Sequence, residues 1–216
     1  MMEVTNVWNL LQEHYGNLHW WPGDTPEEVI IGAILTQNTA WSNVEKAINK
    51  LKENNVCSLE GVASLNEEEL GVLIRSSGFF RRKAKILNFI TNSILDAGGL
   101  EGLKKLGDKE LDEYLMGLYG VGRETCDSIM IYALDRKKFV IDKYTNRIFK
   151  RLGIIEENQD AESLRDIIEK EWGIEDLKNF HGMLVNLAKD YCKTDPVCSE
   201  CALRINCNYW KETTLP

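Results

Sequence analysis

The sequence predicts an all-α protein. Apolar residues recur at helical spacing along almost the whole chain, alternating strand patterns are nearly absent, and short breakers cut the pattern into roughly ten helix-sized pieces. Val29, Ile30, Ala33 and Ile34 form an early apolar stripe, and Leu111, Leu115 and Leu118 form a later one. The breakers are Pro22-Gly23-Asp24, Ser77-Gly78, Gly98-Gly99, Gly120-Val121-Gly122, Gly153 and Gly173. No repeat, low-complexity tract or flexible linker interrupts the series, so any domain boundary falls within packed helical structure. At 216 residues the chain can bury one large core or two small ones.

Several function classes are excluded or disfavoured by composition. No apolar run of about 18 residues exists to span a bilayer. The first residues show no basic segment followed by a long apolar stretch, so no secretory signal is expected and the protein should stay in the cytoplasm. A formal net charge of −8 taken alone disfavours a polyanionic partner. The charge is unevenly spread, however, with acidic residues crowded between Glu156 and Asp176. Arg136, Lys137, Lys138, Lys143, Arg147, Lys150 and Arg151 form one basic segment, and Arg75, Arg81, Arg82, Lys83 and Lys85 form another. Local fields over one face outweigh the sum; solvated helix faces are the plainer explanation of the same residues.

Four of the six cysteines, Cys192, Cys198, Cys201 and Cys207, fall in one 16-residue segment with the spacing C-x5-C-x2-C-x5-C. In a reducing compartment such crowding favours metal ligation over disulfides. Four converging thiolates suit tetrahedral zinc or a [4Fe–4S] cluster; the single C-x2-C pair favours iron–sulfur, since zinc sites more often show two close pairs. Cys57 and Cys126 sit alone in apolar contexts and read as small buried hydrophobes.

Leu111 to Tyr119 reads as an amphipathic helix, Gly120-Val121-Gly122 as a tight turn and Arg123 to Leu134 as a second helix. Glycines at Gly120 and Gly122 would permit positive φ and a close approach by a partner, and amides at the second helix's N-terminus suit a phosphate oxygen. A plain αα-corner would look the same. Twenty residues on, FVIDKYTNRIFKRLG places Asp142 as an N-cap after the buried-looking Val140 and Ile141. A carboxylate held ionised there can simply cap the helix, or can stabilise an oxocarbenium-like sugar and orient water.

Together, LMGLYGVGRETCDSIMIYAL, VIDKYTNRI and HGMLVNLAKDYC running into the cysteines resemble the endonuclease III family of base-excision repair glycosylases, as do GAILTQNTAW and SGFFRRKAK. The resemblance covers most of the chain. It implies a helix-hairpin-helix glycosylase fold: a six-helix barrel domain over 18–130 with the hairpin at about 111–134, and a second helical domain from 1–17 plus 131–216 with a [4Fe–4S] loop at 192–207. A DNA cleft would separate them. The implied partner is double-stranded DNA containing a damaged base, bound by a monomer, nucleoid-associated in a prokaryote. Asp142 would be catalytic, Gln37 would enter the gap left by the extruded nucleotide, and Phe79 would act as an apolar wedge. Gly120, Gly122, Arg123 and Lys83 would contact DNA.

Two departures from the family pattern stand out. Members that also cut the strand carry lysine where this chain has Glu124, and a carboxylate cannot form the Schiff base needed for β-elimination. The first cysteine spacing is also one residue shorter than the usual x6. Glu124, VIDKY and Trp20-Trp21-Pro22 resemble the narrower 3-methyladenine DNA glycosylase subgroup, which implies a base pocket from Trp20, Trp21 and Trp41. Alkylated purines are cationic, so stacking and cation–π attraction can select them. The competing expectations are a glycosylase/lyase for oxidised or mismatched pyrimidines, with Lys143 as the amine, and a non-catalytic DNA-binding iron–sulfur protein.

Overall fold

The computed structural model describes residues 3–20 and 23–214, among which thirteen α-helices and no strand occur. No helix among them is long and apolar enough to cross a membrane. Chain contacts divide the protein into two compact units, Trp21–Arg136 and Met1–Trp20 with Lys137–Pro216.

The unit Trp21–Arg136 holds α2 (Pro26–Leu35), α3 (Trp41–Glu53), α4 (Leu59–Ala63), α5 (Glu67–Leu73), α6 (Phe80–Asp96), α7 (Gly99–Lys105), α8 (Asp108–Gly117) and α9 (Arg123–Ser128). Their starts are written in cap residues. The Thr25 hydroxyl accepts from the Glu28 amide at 3.1 Å, ahead of Pro26 and two glutamates in the first turn of α2. Ser58 caps α4, and Asn66 with Glu69 forms a reciprocal capping box on α5. The long α6 packs against α2, α4, α5 and α7 and buries Ala84, Ile86, Leu87, Ile90 and Ile94.

The hairpin is α8, a turn through Gly120 and α9, but its helices differ from the expected spans. The first starts at Asp108, because Gly107 takes an extended N-cap conformation and Asp108 and Glu110 then occupy the positive end of the dipole. The second widens after Ser128 into a π-helical turn, Ile129–Ala133, every residue of which is buried. Only one of the two glycines is required by backbone geometry. Gly120 has φ +89°, and a Cβ there would lie 2.8 Å from Ile86; Gly122 is extended at φ −102° and faces open space.

The other unit holds α1 (Val4–Tyr15), α10 (Lys143–Leu152), α11 (Arg165–Glu171), α12 (Ile174–Asp190) and α13 (Asn208–Thr214). Here α12 packs against α1 and α10. The core is aromatic: Phe180 of α12 stacks on Phe139 at 5.4 Å and meets Trp8 and Trp172 at 5.6 and 5.3 Å. Because Phe139 lies three residues before Asp142, this stacking fixes where α10 begins relative to α12. Gly153, left-handed at φ 73°, ends α10.

Candidate active site

Candidate groups occur in both units. In the unit containing α10, Asp142 divides its two oxygens between tasks. Oδ1 accepts from the amides of Tyr144 and Thr145 and from the Thr145 hydroxyl at 3.0, 2.8 and 3.0 Å. Oδ2 faces Nε2 of His181 on α12 at 3.8 Å, and both side chains are buried. Burial pushes the carboxyl pKa upward, but the interaction with His181 and the donors of Thr145 outweigh it, leaving Asp142 below its ordinary value. The group is therefore ionised at neutral pH.

Trp20 is half-buried and meets the His181 ring edge-on at 5.5 Å. It lies so close to α12 that a Cβ on Gly182 would come within 3.1 Å of it. Asp142, His181 and Trp20 thus form one constellation. Trp21 and Pro22 lie outside the described residues. His181 sits inside a segment noted for its resemblance, yet it received no role from sequence, since nothing in the spacing announces that a residue 39 positions on will face Asp142.

In the unit Trp21–Arg136, Phe79 stands 72% exposed at the head of α6, with φ 46° and no side-chain cap below it. An exposed aromatic residue held in the left-handed region stores strain of the kind found at functional positions. Arg75, Arg81, Arg82 and Lys85, its neighbours in sequence, are exposed. Gln37 donates through Nε2 to the Gly120 carbonyl and the Thr125 hydroxyl at 2.9 and 3.1 Å, tying its loop to the hairpin. Trp41 opens α3 with 37% of its surface exposed, and Glu124 is exposed in the first turn of α9.

Two residues expected to contact DNA are engaged with the protein itself, Lys83 buried and Arg123 partly exposed. Lys83 is 3% exposed, and its ammonium donates to Leu35 O, Thr39 Oγ1 and Ser77 O, each at 2.7 Å. Burial lowers its pKa to about 8. Arg123 forms a two-pronged ion pair with Asp112 of α8, at 2.5 and 3.1 Å, and reaches Asp127 at 3.4 Å, stapling the hairpin's two helices. Asp112, Cys126 and Asp127 have ligand atoms within 4.8 Å of one another, and the Arg123 guanidinium supplies positive charge to both carboxylates. Cys126 is buried as expected, whereas Cys57 is half-buried.

Cys192, Cys198, Cys201 and Cys207 line a single pocket with Arg151, Tyr191 and Tyr209. Burial, and secondarily their mutual proximity, raises the thiols of Cys198, Cys201 and Cys207, that of Cys201 to about 11. The loop is anchored by α10: Arg147 donates to Cys192 O at 2.8 Å, and Arg151 donates to Lys193 O and Thr194 O at 2.5 and 3.0 Å. Much of the basic segment expected on a nucleic-acid face is therefore committed internally. Arg136 likewise bonds to Asp108 and to the carbonyls of Lys104 and Leu106.

The helix-hairpin-helix, the exposed aromatic residue and the buried capping carboxylate are each features that the resemblance to DNA glycosylases leads one to expect. The family profile described as HhH-GPD superfamily base excision DNA repair protein matches residues 31–173. The sequence is 40% identical over 210 residues to a protein of Methanocaldococcus jannaschii assigned as a DNA repair glycosylase, covering 94% of this chain and 95% of that one. Its structure is similar to the H. pylori 3-methyladenine DNA glycosylase bound to 1,N6-ethenoadenine, with TM-score 0.75 and 27% identity over 87% of this chain and 98% of that one. A non-covalent endonuclease III–DNA complex shares the fold, with TM-score 0.83 and 22% identity over 99% of both chains. The chain belongs to the HhH-GPD superfamily and is an endonuclease III-like base-excision repair DNA glycosylase, an enzyme acting on N-glycosyl bonds.

The Asp142 environment predicts a pH effect. A carboxyl with a folded pKa below its unfolded value contributes stability that is complete above the unfolded value, 3.8, and is lost as pH falls through the folded one. The Asp142→Asn variant should lack this part of the acid limb. Thermal melts of both proteins from pH 6 down to about pH 3 should converge on acidification; parallel curves would show that Asp142 is not stabilised as an ion.

Proposed function

We propose that the enzyme is a monofunctional glycosylase that releases an alkylated purine such as 3-methyladenine from duplex DNA, with water as nucleophile. The observation that carries this reading is the Asp142 carboxylate, ionised, saturated on Oδ1 and facing His181 with Oδ2, together with a carboxylate rather than an amine at position 124. An N3-alkylated purine is already cationic, so the C1′–N bond breaks with its electron pair leaving on a neutral base and no general acid is needed. The developing oxocarbenium charge is stabilised by Asp142. A water then bonds to C1′ and gives up its proton to Oδ2.

Trp20 offers an aromatic face for a cationic base. Phe79 would fill the stack as a wedge and Gln37 would enter the vacated gap, with Gly120, Gly122 and the exposed Arg75, Arg81, Arg82 and Lys85 meeting backbone phosphates. The likeness to the H. pylori enzyme supports the alkylated-purine assignment.

Cys192, Cys198, Cys201 and Cys207 would hold a [4Fe–4S] cluster. The thiols fit: all four line one pocket, where a bound metal centre would take the place of the thiol protons. A bound cluster would supply a rigid electron-poor centre that orders residues 192–207.

On duplexes carrying 3-methyladenine, 7-methylguanine, thymine glycol or mismatched thymine, the alkylated purines should be released fastest, leaving an intact strand and no borohydride-trapped adduct. Fast release of thymine glycol with a trapped adduct lost in Lys143→Ala would establish the bifunctional reading, and absence of any release would establish a non-catalytic one. Metal analysis of anaerobically purified protein should give about four iron atoms per chain and a brown colour; colourless protein with one zinc would overturn the cluster assignment.

A further inference from the structure

We infer that Lys83 is a positioning residue for base extrusion, holding the turn that carries Phe79 and the loop that carries Gln37 in one fixed arrangement. The inference rests on the extrusion roles proposed for those two residues. An ammonium has three donors, and Lys83 meets three acceptors at 2.7 Å: Leu35 O at the end of α2, Thr39 Oγ1 in the Gln37 loop, and Ser77 O in the turn before Phe79. No donor remains for a phosphate. The Thr39 hydroxyl closes the link through a short bond to Ser77 O, and the Lys83 amide bonds Phe79 O at 3.0 Å.

Phe79 needs such support. Its left-handed backbone follows Gly78 at φ 66°, its ring is exposed, and α6 begins without a side-chain cap. With most of the Phe79 ring in solvent, the turn depends on the bonds its neighbours make. From Gln37 the chain of bonds continues to Gly120 O and Thr125 Oγ1. One buried cation thus completes a polar path from hairpin to Gln37 loop to aromatic wedge, within a single unit of the protein. A methyl-terminated side chain could fill the same volume but would take the ammonium's donor from the Leu35 carbonyl and leave Ser77 O tied to Thr39 alone.

The test uses full-length protein and a duplex carrying a tetrahydrofuran abasic-site analogue beside 2-aminopurine, whose fluorescence rises when the wedge unstacks it. Phe79→Ala should lose most of the rise; a normal rise in that variant would sink the wedge reading itself, independently of Lys83. Given a defective Phe79→Ala, Lys83→Met assayed well below its melting temperature should slow the rise about 10- to 100-fold, the size expected for an ångström-scale misplacement. Thr39→Val, which removes one acceptor and keeps the cation, should slow it in the same direction by a few-fold and decides the matter if Lys83→Met does not fold. Wild-type rates in the folded variants, with only the melting temperature lowered, would make Lys83 a structural residue and overturn the inference.

Discussion

A carboxylate buried at the start of a helix must be met by donors, and α10 supplies three of them to one oxygen of Asp142. Everything proposed for the chemistry depends on this asymmetry. The capping bonds fix the plane and charge of the group, so the second oxygen can face His181 without carrying the burden of holding the helix. The stacked Phe139 and Phe180 set the start of α10 against α12, and with it the distance between Asp142 and His181. In the proposed mechanism, capping and catalysis are successive uses of one ion.

A similar economy governs the cations. With a formal net charge of −8 the chain has few positive groups to spare, yet Lys83, Arg123, Arg136, Arg147 and Arg151 are engaged with the protein's own carbonyls and carboxylates. They order a wedge turn, a hairpin and a cysteine loop. The exposed positive charge beside Phe79 comes from Arg75, Arg81, Arg82 and Lys85. These four cations flank the proposed wedge in sequence and are left to solvent, and a few local charges can outweigh an unfavourable total.

Helical periodicity made the all-α class legible, and the cap chemistry of Asp142 could be read from that residue and the amphipathic segment directly after it. The thiol cluster was legible because its members are near in sequence. Hidden features depended on distant partners. Lys83 and Arg123 look like surface cations, since a sequence shows charge but not the three carbonyl and hydroxyl acceptors or the paired carboxylates waiting for it. Likewise, Gly122 resembles Gly120 until the backbone shows that only one of them has positive φ. His181 escaped because its partner lies 39 residues away on another helix.

The most direct test of the carboxylate's role is single-turnover base release by Asp142→Asn on a duplex containing 3-methyladenine, measured beside its affinity for an abasic-analogue duplex. Asparagine still caps α10 but carries no charge. A fall in the release rate of at least about 100-fold with affinity little changed is expected, the magnitude typical of losing one preorganised electrostatic group. Release at the wild-type rate by a folded variant would reduce Asp142 to a helix cap and contradict the mechanism.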